Sequence, residues 1–398
     1  MSDSVLIAGM GVVSAIGLNL TENFQSLQRE ETGIGNIKFL QSVHRNELPA
    51  GEVKLSNESL AAGMDVSEKW PRTALLSLMA ARQALDHAGW KQSKTLRTGF
   101  ISANTVGGMD KTEKFFRLFS KDPGAGRLAD VVNHECGAIT ELVAAKLGMQ
   151  DFISTVSTAC SSSANAIFTG ARMIRAGLLD FALVGGADAL TAFTLNGFNT
   201  LMILDRELCR PFDENRHGLN LGEGSAYLLL ASPNAMKELG GETHGQITGY
   251  ANANDAFHQT ASSPDGTGSF LAMKGALSKA MLSVSDIDYI NLHGTGTQNN
   301  DVAEGTAIQR LFGPAFPKMS STKSYTGHTL GASGAIEAVY SLLAIKHGLI
   351  FPNLRFRTAM KELSFTPVVK GLHQPVKNVL SNSFGFGGNC SSLIFSAA

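Results

Sequence analysis

The sequence predicts an α/β protein made of two copies of one unit, face to face about a pseudo-twofold axis. Short β-branched or apolar runs alternate with longer helical ones, as in Phe152-Ile153-Ser154-Thr155-Val156 followed by Ala164 to Ile174. The run from Phe181 to Gly186 is apolar throughout, which suits a strand covered on both faces. The order of runs also repeats. Ala84-Leu85-Asp86-His87-Ala88 ahead of Gly99 to Asn104 is answered by Ala276-Leu277-Ser278-Lys279-Ala280 ahead of Tyr289 to Gly296. Likewise Ala166 to Leu178 is answered by Ala335 to Leu349. A period of roughly 170 to 190 residues is too long for a solenoid and indicates a duplicated unit. No Pro/Ser-rich linker divides the copies. Residues 1–240 and 241–398 are therefore expected as two halves of one body, with the active cleft between them.

The composition narrows the function classes. The 398 residues are 43% hydrophobic and 17% charged, which allows ample core. A net charge of −1 offers no global basic field for nucleic acid. Met1 to Ser4 leads into a strand-like run without a secretory signal, and no run is long and apolar enough to span a membrane. Four scattered cysteines, with no CxxC spacing, fit a reducing cytoplasm and argue against a zinc site.

Taken in order, Val5 to Ser14 reads as a strand running into a glycine turn. Ser14 stands where a dinucleotide fingerprint needs its third glycine, so the glycines read as structural. Residues 18 to 63 read as polar and irregular. Ala74 to Gly89 reads as a helix with Gly89 as its stop, and Leu128 to Gly148 as another. Gly99 to Gly108 is a strand feeding a glycine loop.

Cys160 lies where the 152–156 strand turns into the helix beginning near Ala164. A helix N-terminus favours a thiolate, which makes Cys160 a candidate nucleophile; a buried structural cysteine is the alternative. The equivalent turn of the second half carries Lys323 and His328. His293 ends another strand on the glycine loop Asn291 to Thr297. Duplicated folds bring equivalent turns together near their axis. One thiol, two imidazoles and one ammonium exceed what a cysteine hydrolase needs. Two neutral imidazoles can instead donate N–H bonds to an oxygen that becomes an enolate, which suits carbanion chemistry beside a thioester. Lys323 would hold a carboxylate, with Glu304 the candidate, and Phe384-Gly385-Phe386-Gly387-Gly388 could add oxyanion-binding N–H groups.

Four motifs, Ser157 to Ser163, His293 to Thr297, Lys323 with Gly327 to Gly334, and Asn382 to Gly388, resemble those of the β-ketoacyl-acyl-carrier-protein synthases, the elongating Cys-His-His class of the thiolase superfamily. The resemblance covers essentially the whole chain. It implies a thiolase-like five-layered αβαβα fold, and a homodimer or a heterodimer with a chain-length partner. It also implies decarboxylative Claisen condensation with no cofactor beyond the phosphopantetheine of acyl-carrier protein. Cys160 would carry the acyl group, and His293 and His328 would stabilise the malonyl-derived enolate. Lys323 would order the site through Glu304. The Cys160 and Phe386 N–H groups would form the oxyanion hole, with Phe386 as gate. Thr295 and Thr297 would hold the pantetheine arm, and Val106, Phe198, His134 and Glu135 would meet the acyl chain. Lys69 and Arg72 match positions that dock carrier protein.

The sequence departs from the family pattern at His217 and Leu219, and in the ionisable pair His134 and Glu135 on the typically apolar helix that closes the partner's acyl tunnel. Ordinary fatty-acid elongation and a specialised polyketide or aryl-polyene-type elongation both stay open. A non-catalytic chain-length partner and a thioesterase are the competing classes; the first lacks a use for Cys160, the second for Lys323 and the second histidine.

Overall fold

Among the described residues, twelve strands and twelve helices form two groups of the same design. The computed structural model describes residues 4–93 and 95–398; the lead from Met1 to Asp3 lies outside the described residues. The first group comprises β1 (Val5–Val13), α1 (Leu20–Gln28), α2 (Asn57–Ala62), α3 (Arg72–His87), β2 (Thr98–Ala103), α4 (Met109–Phe119), α5 (Cys136–Leu147), β3 (Phe152–Val156), α6 (Ser162–Arg175), β4 (Phe181–Asp188), α7 (Ala192–Thr200), β5 (Gly224–Ala231) and α8 (Pro233–Leu239). The second comprises β6 (Gln246–Asn254), α9 (Thr267–Ala280), β7 (Tyr289–Asn291), α10 (Gln298–Phe312), β8 (Lys318–Ser320), α11 (Lys323–Thr326), α12 (Ser333–His347), β9 (Leu349–Ile350), β10 (Leu372–His373), β11 (Asn378–Phe384) and β12 (Asn389–Ser396).

The main strands run β3-β2-β4-β5-β1, then β6-β12-β11-β7-β8, joined where Val5 and Leu6 pair with Ile247 and Gln246. With β6, β7, β8, β11 and β12 as counterparts of β1 to β5, the two orders are identical. Directions agree as well. β2 is parallel to β3 and β4, as β7 is to β8 and β11; β5 and β12 run antiparallel to both of their neighbours within the group. The duplication expected from the repeated runs is therefore a duplication of topology.

Helices fill three layers around these strands. α3 and α5 cover the outside of the first group, α9 and α10 the outside of the second. α6 and α12 lie between the groups: α6 touches β2 and β4 on one side and β6 and β12 on the other. The result is the five-layered αβαβα arrangement. The central core joins Ile167 and Ala171 of α6 to Ile336, Val339 and Leu343 of α12, against Val184, Leu228 and Phe395. α12 is buried from Ser333 to Ala344, as a helix apolar on nearly all sides must be.

The structure corrects several local expectations. Residues 18 to 63 hold α1 and α2, whose caps were readable in the sequence: Asn19 accepts from Glu22 N–H, and Ser56 from Ser59 N–H. Leu128 to Gly148 is not one helix. A 3-10 turn, Leu128–Val131, is separated from α5 by residues whose backbone is used elsewhere: the His134 carbonyl accepts the Gly108 N–H at 3.1 Å. β1 does not turn at Gly9 but runs through to Val13.

Candidate active site

Cys160 sits two residues ahead of α6, and the turn that presents it is tied down on every side. Ala159 is in the left-handed region (φ 53°), a conformation costly for a residue with a side chain. Ser162 Oγ donates to the Ala159 carbonyl at 2.5 Å and accepts the Thr158 N–H at 2.8 Å. Ser161 Oγ donates to Asn389 Oδ1 at 2.6 Å, and Ser163 Oγ accepts the Ala335 N–H at 2.9 Å. The three serines thus fasten the cysteine turn to itself, to β12 and to α12.

The matching turn after β8 brings in the other reagents. His328 Nε2 lies 3.0 Å from Cys160 Sγ, and its Nδ1 lies 3.0 Å from Ser333 Oγ. The His293 ring stands nearly perpendicular to that of His328, with centroids 5.4 Å apart. Lys323 Nζ lies 3.3 Å from His293 Nδ1. An ammonium is a donor only, so it donates to Nδ1 and leaves the neutral His293 with its proton on Nε2. All four side chains are buried.

Lys323 does not reach Glu304. Its ammonium pairs with Glu337 of α12. Glu304 instead accepts the His293 N–H (2.9 Å), the Gly294 N–H (2.8 Å) and Asn382 Nδ2 (3.0 Å), so it shapes the backbone of the histidine loop. Glu337 was readable as a single carboxylate inside the apolar run Ala335 to Ile345.

Burial sets the protonation of the site. It pushes the Cys160 thiol up to about 11, against the opposing pull of the Lys323 ammonium. It holds His293 and His328 well below the ordinary imidazole value, with the Lys323 charge acting in the same direction. The resting state is thiol plus two neutral imidazoles, and the thiolate expected from the helix N-terminus is outweighed by desolvation. Burial likewise raises Glu337 and Glu304 to about 7 each.

The ligand-type atoms of Cys160, His293 and His328 lie within 4.8 Å of one another. The thiol and imidazole stand at hydrogen-bond distance, and the adjacent ammonium opposes a further cation. The cluster is thus arranged to move a proton rather than to hold a metal.

Two cavities meet at the sulfur. One, of 370 Å³, is bordered by polar groups that include Thr295, Thr297, Asn299, His217 and both histidines. Thr295 Oγ1 and Thr297 Oγ1 lie 2.9 Å apart. The other, of 400 Å³, is apolar and lined by Val106, Met109, Phe193, Phe198, Leu201 and Leu330 among others. Phe386 borders both and stacks on Phe198 with centroids 5.7 Å apart. The N–H groups of Phe386 and of Cys160 itself are directed at the sulfur.

One expected position lies elsewhere. Arg72 is buried and grips Glu223, with Nη2 2.6 Å from Oε1, while Nη1 donates to Asn57 Oδ1 at 2.8 Å. It is a structural cation and cannot meet a docking protein; Lys69 is exposed. His134 and Glu135, expected to face the partner's tunnel, stand apart from the apolar cavity of their own chain. His134 Nδ1 meets Thr112 Oγ1 at 2.9 Å, and Glu135 is exposed.

Fold and site together define a condensing enzyme of the thiolase fold, equipped with a Cys-His-His set. The chain belongs to the β-ketoacyl synthase family: residues 2–235 match that family's N-terminal domain and residues 244–357 its C-terminal domain. It is 31% identical to a 3-oxoacyl-[acyl-carrier-protein] synthase 2 of Staphylococcus aureus strain COL, over 98% of this chain and 97% of that one. Among solved structures it resembles the ishigamide ketosynthase/chain length factor, with a TM-score of 0.93, 30% identity and 99% of each chain covered. It also resembles the structure of a ketosynthase (ApeO) with its chain length factor (ApeC) from Xenorhabdus doucetiae, with a TM-score of 0.87, 32% identity, and 99% and 98% of the two chains covered. Among the described residues no helix is long and apolar enough to cross a membrane.

Proposed function

We propose that this protein extends an acyl chain by two carbons, by decarboxylative Claisen condensation of a Cys160-bound acyl group with malonyl-acyl-carrier protein. The observation that carries this reading is the Cys160–His328 pair, 3.0 Å apart, with the Lys323-oriented His293 beside it, where a polar and an apolar cavity meet.

In the first stage Cys160 Sγ attacks the thioester of acyl-carrier protein while its proton passes to His328 Nε2. The oxyanion accepts from the N–H groups of Cys160 and Phe386. His328 then returns the proton to the departing pantetheine sulfur, and the acyl chain occupies the apolar cavity. In the second stage the malonyl arm enters the polar channel along Thr295 and Thr297. Loss of CO2 leaves an enolate whose oxygen accepts from His293 Nε2–H and His328 Nε2–H; its carbon attacks the Cys160 thioester, the C–S bond breaks, and the departing Cys160 thiolate takes a proton from water to restore the thiol. The product leaves as β-ketoacyl-acyl-carrier protein. His328 serves as base in one stage and as donor in the other, and the Ser333 hydroxyl can accept from or donate to Nδ1 in either tautomer.

The reading places the nucleophile in residues 1–240 and the histidines and lysine in 241–398. Acyl-carrier protein is the substrate-bearing partner, and Lys69 remains the candidate basic contact. A second subunit, identical or a chain-length partner, would cover exposed apolar side chains such as Phe116, Leu128, Val132, Ile153 and Phe193. Its 131–137 segment would bring His134 and Glu135 toward this chain's acyl cavity, where they would bear on a fatty-acid or a specialised chain. Four free cysteines suit a cytoplasmic setting. The intact Cys160–His328 pair favours the active subunit of any heterodimer over the non-catalytic one.

The test is Cys160→Ala, assayed with acyl- and malonyl-acyl-carrier protein. Condensation is expected to vanish with the fold intact; a variant that still condenses would refute the nucleophile.

A further inference from the structure

Asp188, the last residue of β4, is fully buried, and the reaction scheme gives it no part. Its Oδ1 accepts the Thr105 N–H (2.8 Å) and the Val106 N–H (3.1 Å). Its Oδ2 accepts Thr105 Oγ1 (2.7 Å) and the Gly331 N–H (2.7 Å). All four donors are neutral, and burial raises the carboxyl to about 6. A buried carboxylate held in this way is costly to keep, so what it holds matters.

It holds two pieces of one wall. Thr105, Val106 and Leu330 all line the apolar cavity. Thr105 and Val106 follow β2 in the first half of the chain. Leu330 and Gly331 follow His328 in the second. Leu330 sits in the left-handed region (φ 52°), a strained conformation that persists only where neighbours over-determine it. The Gly331 N–H bonded to Asp188 is the next link in the chain. A Cβ at Gly331 would stand 2.8 Å from Asp188 Oδ2 and 2.9 Å from Thr105 Cγ2, so the joint closes only with glycine there.

We propose that Asp188 is a positioning residue: one carboxylate locks the Thr105–Val106 wall of the acyl cavity to the turn that carries His328. The width of the acyl cavity and the placing of the base are set together, across the two halves of the fold. This rests on the acyl-transfer reading of Cys160.

The experiment measures Cys160 self-acylation in single turnover, by intact mass, from carrier proteins bearing short, medium and long saturated chains. It compares the parent with Asp188→Asn, Gly331→Ala and Thr105→Val. The amide of Asn turns a donor toward an N–H, Ala intrudes from the other side of the joint, and Val removes one hydroxyl at nearly constant shape. Asp188→Asn and Gly331→Ala are each expected to raise the long-to-short rate ratio about fivefold or more, the scale of one buried hydrogen bond, with the fraction of Cys160 that reacts unchanged. Thr105→Val shifts the ratio the same way by less. The Asp188→Asn/Gly331→Ala double variant is no worse than the worse single one, because both break one joint. Unchanged ratios, one factor common to all chains, or additive losses would overturn the proposal. If the first two variants do not fold, the Thr105→Val ratio decides it. A parent enzyme that fails to acylate Cys160 would instead overturn the acyl-transfer reading, so the two failures are distinct.

Discussion

Glu337→Gln tests the ion pair that orders the site. The Lys323 and Glu337 side chains are 2% and 3% exposed, so neither charge has water to fall back on. Removing one partner of a buried pair costs about 3–5 kcal/mol, because the other is left uncompensated. At roughly 2 °C per kcal/mol for a chain of this size, the melting temperature should fall by about 6–10 °C. The ammonium would also lose the anchor that keeps it 3.3 Å from His293 Nδ1. Release of CO2 from malonyl-acyl-carrier protein should then drop by about 10²–10³, the usual scale for one oxyanion-type donor. Self-acylation at Cys160, which the proposed scheme routes through His328, should fall much less. Calorimetry, CO2 release and intact mass give the three readouts. The double variant Lys323→Met/Glu337→Leu separates stability from chemistry: it should recover most of the melting temperature, since apolar replacement of a buried pair is often neutral, and none of the decarboxylation. Parent-like melting and CO2 release in Glu337→Gln, or recovered CO2 release in the double variant, would refute the reasoning.

The remaining predictions concern the sulfur, the imidazoles and the docking surface. With its thiol raised to about 11, Cys160 is protonated at neutral pH, so its alkylation by iodoacetamide should climb close to tenfold per pH unit between about pH 7 and 9. A plateau below pH 8 would mean that the helix N-terminus outweighs burial. His293→Ala and His328→Ala should each cost about 10²–10³ in CO2 release, whereas only His328→Ala should also slow self-acylation strongly. Equal effects of both on self-acylation would contradict the division of roles. Lys69→Glu should raise KM for carrier-bound substrate in a salt-sensitive way, while Arg72→Glu should impair folding by facing Glu223 with a second buried anion. A well-folded Arg72→Glu with only KM altered would restore Arg72 to the docking surface.

The candidate residues were legible because each stands at a turn beside a strand end, His293 and His328 in glycine loops and Cys160 in the Ser/Thr-rich turn before α6. The repeat of strand and helix runs placed those turns at equivalent positions, which is what brings Cys160 and His328 together. The partner of Lys323 was hidden because a carboxylate inside the apolar helix α12 gives no turn or spacing signal; only its isolation marks it. Arg72 misled because its burial depends on Glu223, 151 residues away, and no local pattern reports a contact of that range. The break before α5 was unreadable for the same reason: the His134 carbonyl is claimed by Gly108 across the fold. The thiol protonation followed burial, a property of the finished core, rather than the local helix end.

Gly334 at the start of α12 lies against α6 so closely that a Cβ there would stand 2.9 Å from the Ala164 nitrogen. Cys160 and His328 therefore hang from two helices in backbone contact, while α4 and α7 supply part of the apolar cavity. Inherited change falls unequally on these parts. In the helix pair an enlargement at Gly334 would push the two helices, and with them the reagents, apart. At Met109 of α4 or Phe193 of α7, which line the apolar cavity and not the polar one, a larger or smaller side chain alters the room for a chain at a distance from the reagents. Lineages carrying this architecture are thereby free to diverge in what they build while keeping how they build it.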